Sequence, residues 1–228
     1  MIGQRGVCQV LLVQTGIGLE NAASVYQRVL AKEPLDLAIS SGFAGALTDG
    51  QVGSLLIADS VTMHGTGPDL LRIESPVSCD TALIAQALRV AQTIGIEAQV
   101  GQMVSVQRVV VCAQEKRHLR DVTGAIGLDM ESAALGTVAH ACHVPFLVIR
   151  TVSDRVDEDL PIDFNLFFEP RGWIRGLCTV VARPSCWLGL VHMRNHTALA
   201  SWQITRFFEE FLSLEHMETA APNDTVRM

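Results

Sequence analysis

Short apolar runs alternating with stretches of helical spacing constrain this chain more than any other feature. Residues 10–13 (VLLV), 36–40 (DLAIS), 53–61 (GSLLIADSV), 100–104 (VGQMV), 109–112 (VVVC) and 144–152 (VPFLVIRTV) read as strands. Pro145 falls near the start of the last run, where a missing N–H is tolerated. The spacing predicts helices over 19–31, 81–95 and 131–143. In the second of these Leu83, Ala87, Leu88, Ala91 and Ile94 recur on one face before Gly95, a C-cap. The alternation predicts an α/β domain built on a mainly parallel sheet. Ligands of such sheets lie beyond the carboxyl ends of the strands. That rule directs attention to residues 16–18, 42–46 and 153–154.

The chain has 228 residues, enough to bury roughly 70% of the unfolded surface without a metal or disulfide staple. With 49% hydrophobic and 18% charged residues it is not a disordered chain. A net charge of −7 removes a global basic footprint for nucleic acid. No uncharged apolar run approaches the ~18 residues of a membrane-spanning helix. Arg5 precedes an apolar run, but Gln9 and Gln14 interrupt it and no small-residue cleavage site follows, so no signal peptide is expected. The six cysteines form no CxxC pair and fit reduced thiols of a cytoplasmic protein. The seven histidines show no metal-ligand spacing, and neither a metal nor an organic cofactor is expected. Residues 1–214 read as one domain. Within it 171–212 form a Trp/Arg-rich helical extension, and 215–228 follow as a flexible tail.

Three segments carry residues suited to chemistry. Gly16-Ile17-Gly18 is not a full GxGxxG, because Asn21 stands where the last glycine would be. It is either a strand-to-helix turn or a loop in which Ile17 and Gly18 touch a ligand. Asp129-Met130-Glu131 sets two carboxylates before a helical stretch. Either complements the helix dipole, and Glu131 could equally accept hydrogen bonds from two vicinal hydroxyls of a sugar. Asp154 follows the 144–152 run directly. It is either a helix N-cap or, if desolvated at a site mouth, a proton donor. Ser40 and Ser41 lack a GxSxG context.

The order of these pieces resembles the nucleoside phosphorylase/nucleosidase superfamily, in particular its purine-directed bacterial branch. That branch includes the methylthioadenosine/S-adenosylhomocysteine nucleosidases. The matching stretches are VLLVQTGIGLENA (10–22), DLAISSGFAGAL (36–47), GLDMESAAL (127–135) and VPFLVIRTVSD (144–154). The resemblance implies a three-layer α/β/α sandwich around a mixed, partly barrel-like central sheet. It implies cleavage of the N-glycosidic bond of a purine nucleoside, by water or by phosphate. By the same resemblance Glu131 binds the ribose hydroxyls, Met130 packs on the sugar and Asp154 protonates or hydrogen-bonds purine N7. Val109 and Val110 hold the base. Gly42, Phe43, Ala44 and Gly45 line the ribose and the nucleophile side. A homo-oligomer is implied too.

This sequence also departs from the family pattern. In the family a strand and a water-activating glutamate precede the glycine loop, whereas here Met1 stands fifteen residues before Gly16. The N-terminal strand is therefore expected to be missing. The chain is then a truncated product, uses a replacement base such as Asp129, or is a nucleoside-binding pseudoenzyme without its base. Residues 38–41 lack the phosphate-binding arginine of the phosphorylases, which favours hydrolysis. Residues 173–196 resemble the tail of hopanoid-associated phosphorylases, which implies adenosylhopane as substrate; methylthioadenosine or S-adenosylhomocysteine is the alternative. Residues 171–208 hold five arginines, three tryptophans and no acid. That composition suits either peripheral contact with the inner face of a membrane or a solvated arginine face over core tryptophans.

Overall fold

A computed structural model describes residues 1–5, 8–65, 75–167 and 185–213. The strands are β1 (Ile2–Arg5), β2 (Cys8–Leu11), β3 (Ala38–Ala46), β4 (Leu55–His64), β5 (Val77–Ser78), β6 (Ala98–Val106), β7 (Gly127–Asp129) and β8 (Phe146–Asp154). The α-helices are α1 (Leu19–Leu30), α2 (Thr81–Thr93), α3 (Ala113–Thr123), α4 (Ser132–Ala141) and α5 (Ser185–Phe211), with a 3₁₀ turn at Phe164–Phe167.

Strands β4, β6, β7, β3 and β8 are neighbours in that order, and β8 pairs back onto β4, closing the sheet into a barrel. β5 adds to the outer side of β4, and β1 pairs with β2 in a separate hairpin. The sheet is mixed, with its longest pairings parallel. β3–β8, β4–β6 and β6–β7 run parallel, while β3–β7, β4–β5 and β4–β8 run antiparallel.

The apolar runs are nearly continuous because helices cover both faces of their strands. In β8, Leu147 and Ile149 join Leu55 and Ile57 of β4 against Leu83 and Ala87 of α2 and Phe207 and Phe211 of α5. Their neighbours Phe146, Val148 and Val152 face the other way, toward Tyr26 of α1 and Ala133, Val138 and Ala139 of α4. This is the two-residue period of a strand read out as two cores. A third cluster sets Leu119 of α3 on Val104, Val106 and Leu128.

Several elements differ from the sequence expectation. Residues 42–46, expected as a loop, continue β3, because β3 is paired to β8 from Ala38 to Gly45. Residues 109–112 are not a strand; they lead from β6 into α3, a helix whose sparse apolar content hid it. Helix α2 is as expected and is capped by Asp80, whose carboxylate accepts from the N–H groups of Ala82 and Leu83 at 2.9 and 3.0 Å. Residues 171–184 and 215–228, with Trp173, lie outside the described residues. Trp187 and Trp202 of α5 are not core residues but are 58% and 55% exposed. Among the described residues no helix is long and apolar enough to cross a membrane.

Candidate active site

β7 ends at Asp129 and α4 begins three residues on, so the Asp129-Met130-Glu131 segment is a strand-to-helix corner. Asp129 closes that corner. Its Oδ1 accepts from Ser105 Oγ at 2.5 Å and from the N–H groups of Glu131 and Ser132 at 3.3 Å. Ser105 Oγ in turn accepts from Ala133 N–H at 2.9 Å. Arg150 Nη2 lies 2.7 Å from Asp129 Oδ2, a charge contact whose angle falls short of an aligned hydrogen bond. The same nitrogen donates to Ser40 Oγ and Ser132 Oγ at 3.0 and 2.9 Å. The Asp129 side chain is only 1% exposed, with its oxygens taken up by these partners. The structure thus shows Asp129 as a buried partner of Arg150 and of the β7–α4 corner.

Glu131, two residues away, has a different environment. Gly18 N–H donates to its Oε1 at 3.0 Å, and Arg150 Nη2 lies 3.8 Å from Oε2. Gly18 has φ 93°, a backbone conformation that side-chain-bearing residues rarely adopt. Burial pushes the Glu131 carboxyl above its ordinary range, and Asp129 adds to the rise. The Gly18 N–H, the Arg150 guanidinium and the Met130 N–H pull it back. The side chain stays 18% exposed, so its acceptor capacity is open to a ligand. Ile17, beside Gly18, is 53% exposed. Met130 is partly buried against the α3-side cluster.

Asp154 ends β8 beside Gly45 of β3. Its Oδ2 accepts from Lys116 Nζ at 2.5 Å, and Ser153 Oγ donates to its Oδ1 at 2.7 Å. The glycines of β3 make room for both charged groups. A Cβ on Gly42 would lie 2.5 Å from Arg150 Nη1, and one on Gly45 would lie 3.0 Å from Asp154 Oδ2. These glycines are three residues apart on one strand, a separation of roughly 10 Å. The Arg150–Glu131 end and the Asp154 end therefore flank one stretch of β3. Along it Phe43 is 41% exposed and Ala44 is buried.

The segment at 109–112 is tied down from elsewhere. Val109 N–H donates to Asn165 Oδ1 at 2.8 Å, and Asn165 Nδ2 donates to Val109 O at 2.9 Å. Leu160 N–H donates to Val111 O at 2.9 Å. Both backbone groups of Val109 are thus bonded to the Asn165 amide. Val110 is 2% exposed and packs in the α3-side cluster. Three residues went unrecognised in the sequence. Arg150 lies inside the strongest apolar run, Lys116 is one of several charges on α3, and Asn165 follows an unremarkable turn. Only the closed sheet brings them to the site. Among the described residues no group of three or more His, Cys, Asp or Glu could hold a metal ion.

The sequence model of the Phosphorylase superfamily matches residues 1–172. This chain belongs to the phosphorylase superfamily. It is 30% identical over 171 residues to a 5′-methylthioadenosine/S-adenosylhomocysteine nucleosidase of Staphylococcus aureus, covering 71% of this chain and 75% of that protein. In fold it is similar to the enzyme of that name from Neisseria meningitidis, solved with methylthio-immucillin-A. The TM-score is 0.71 at 22% identity, over 92% of this chain and 84% of that one. An S-adenosylhomocysteine nucleosidase from Streptococcus pyogenes is similar at TM-score 0.68 and 18% identity, over 91% and 82% of the two chains. The phosphorylase-superfamily chain described here therefore has the barrel-centred α/β fold of nucleosidases.

Proposed function

We propose that this chain cleaves the N-glycosidic bond of an adenine nucleoside and releases the base. The observation that carries the reading is the placement of Glu131 and Asp154 at the two ends of the Gly42–Gly45 stretch of β3. Glu131, held by Gly18 N–H, accepts hydrogen bonds from the ribose hydroxyls and sets the sugar. Asp154 faces the leaving base. Positive charge developing on the ribose is stabilised by the Glu131 carboxylate in a site that excludes water. A proton delivered to the base neutralises the departing negative charge, a contribution of ~10²–10⁴-fold. Water is the acceptor in this reading. The relatives are named nucleosidases, and Arg150 is spent on Asp129 and so is not offered to phosphate.

Adenine release from a panel of 5′-substituted adenosines, with and without phosphate, tests the reaction. The panel separates a 5′-alkylthio nucleoside from adenosylhopane, and either from a pseudoenzyme that binds without cleaving. Asp154→Asn is expected to lower kcat by ~10²–10⁴-fold with little change in Kd; full activity in that variant refutes the assignment.

A peripheral membrane contact is supported by α5. It exposes Trp187, Leu188, Val191 and Trp202, carries Arg194 and Arg206, and has no acid over 185–208. Cosedimentation with anionic vesicles is the expected result, weakened by salt. No binding at low salt refutes it.

A further inference from the structure

Lys116 is the most deeply placed charge in the fold. It lies in the first turn of α3 and is 0% exposed. Its ammonium donates to Asp154 Oδ2 at 2.5 Å, to the carbonyl of Arg155 at 2.8 Å and to the carbonyl of Glu158 at 3.0 Å. Those three acceptors match the three protons of the ammonium. The loop that supplies the carbonyls is fixed on a second side, because Asp159 Oδ1 accepts from Ala113 N–H at 2.7 Å and caps α3. A buried ammonium is costly unless fully partnered, so the arrangement is built rather than incidental.

Paired with an ammonium, Asp154 is a carboxylate, an acceptor with no proton of its own to give. The nucleosidase reading nevertheless asks it to supply one. We propose that Lys116 is the positioning residue and proton reserve of the leaving-group step, acting through Asp154; this rests on the nucleosidase reading. As the C–N bond breaks, its electron pair stays with the base. One proton passes from Lys116 Nζ to Asp154, and one passes from Asp154 to the base nitrogen. Lys116 ends as a neutral amine, Asp154 as a carboxylate again and the base as a neutral purine. Water adds to the sugar carbon that lost the base and gives up one proton to solvent, and solvent returns one proton to Lys116 after the products leave. A neutral amine keeps two N–H donors for the two carbonyls, and its lone pair accepts from Asp154 only while that carboxyl holds the proton; the amine and carboxylate left afterwards face each other acceptor to acceptor, which favours return of a proton to Lys116.

The neighbouring charges have partners of their own. On the loop after β8, Arg155 pairs with Asp157 at 2.9 Å, and the Glu158 carboxylate faces His196 of α5 at 3.8 Å. On α3, Glu115 pairs with Arg108, and Arg120 pairs with Asp121. Among the described residues Asp154 is the one charged side chain bonded to Lys116 Nζ.

The test compares adenine release by the wild type, Lys116→Met and Lys116→Arg across acid to alkaline pH, with folding checked by thermal melting. For Lys116→Met the expected result is a kcat loss of roughly 10²-fold at neutral pH, with KM close to wild type. Its rate then climbs by about tenfold for each pH unit of acidification, because Asp154 must draw its proton from solvent. Lys116→Arg keeps the positive charge but does not deprotonate in proteins, so it shows the same sloping profile. A wild-type rate and profile in Lys116→Arg overturns the relay and leaves a holding role alone. A wild-type profile in Lys116→Met overturns both roles. An inactive wild type, or a fully active Asp154→Asn, overturns the nucleosidase reading itself and the relay with it.

Discussion

Arg150 joins Asp129 and Glu131, and its removal has a calculable cost. Its side chain is 6% exposed and that of Asp129 is 1% exposed, so neither charge has water to fall back on. Arg150→Met leaves Asp129 with the Ser105 hydroxyl and two backbone N–H groups but no counter-charge. Breaking a buried pair from one side costs about 3–5 kcal/mol. At 2–4 °C per kcal/mol for a chain of this size, the expected fall in Tm is roughly 6–20 °C. Asp129→Asn leaves the guanidinium with the Glu131 carboxylate at 3.8 Å as its remaining counter-charge, and costs less. In the double variant neither charge is stranded, and its loss falls short of the sum of the single losses by about 0.5–3 kcal/mol. Urea unfolding of the four proteins at neutral pH gives the cycle. A loss under about 1 kcal/mol in Arg150→Met refutes the reasoning. A double variant that loses the full sum does so too.

Glu131→Gln is expected to weaken nucleoside binding yet leave the free protein at least as stable as wild type at neutral pH. Burial raises the folded-state pKa of Glu131, so its contribution to stability is full below the ordinary carboxylate range and is lost as pH rises through the folded value. Thermal melts from acid to neutral pH should therefore show the Gln variant gaining on wild type as pH rises, and a constant difference counts against this. Phe207→Ala empties a fully buried site between α2, β4 and β8 and is expected to cost about 3–5 kcal/mol by urea unfolding, with Kd for nucleoside unchanged.

The residues proposed to meet the ligand were legible because each is an acid or a glycine at the end of an apolar run, where the packing rules leave little other use for it. Glu131 and Asp154 stood out in that way, as did the Gly16–Gly18 loop that reaches Glu131. The residues that hold them were not legible. Arg150 sits within VPFLVIRTV, a run that otherwise reads as core, and its partners Ser40, Asp129 and Ser132 lie on three other elements. Lys116 stands among Glu115, Arg117 and Arg120 on a polar helix, where no local pattern marks one charge as buried. Asn165 meets Val109 across 56 positions of chain. Long-range pairing of this kind depends on closure of the sheet, and strand propensity is silent about closure.

The glycines of β3 show most clearly how closure changes the meaning of a motif. As a linear pattern, SSGFAG reads as a loop, because glycines commonly mark turns. In the barrel the same residues are strand; at Gly45 what matters is the missing Cβ, and at Gly42, with φ 156°, the permissive backbone matters as well. A methyl at Gly42 would meet Arg150 Nη1 at 2.5 Å, and a methyl at Gly45 would meet Asp154 Oδ2 at 3.0 Å. One strand therefore accommodates both the Arg150 cation and the Asp154 carboxyl. The neighbouring acids Asp129 and Glu131 divide in a similar way. Helix geometry turns the first inward to cap α4 and hold Arg150, and leaves the second partly exposed. Two carboxylates that the sequence left interchangeable are thus assigned different work by a corner of three residues.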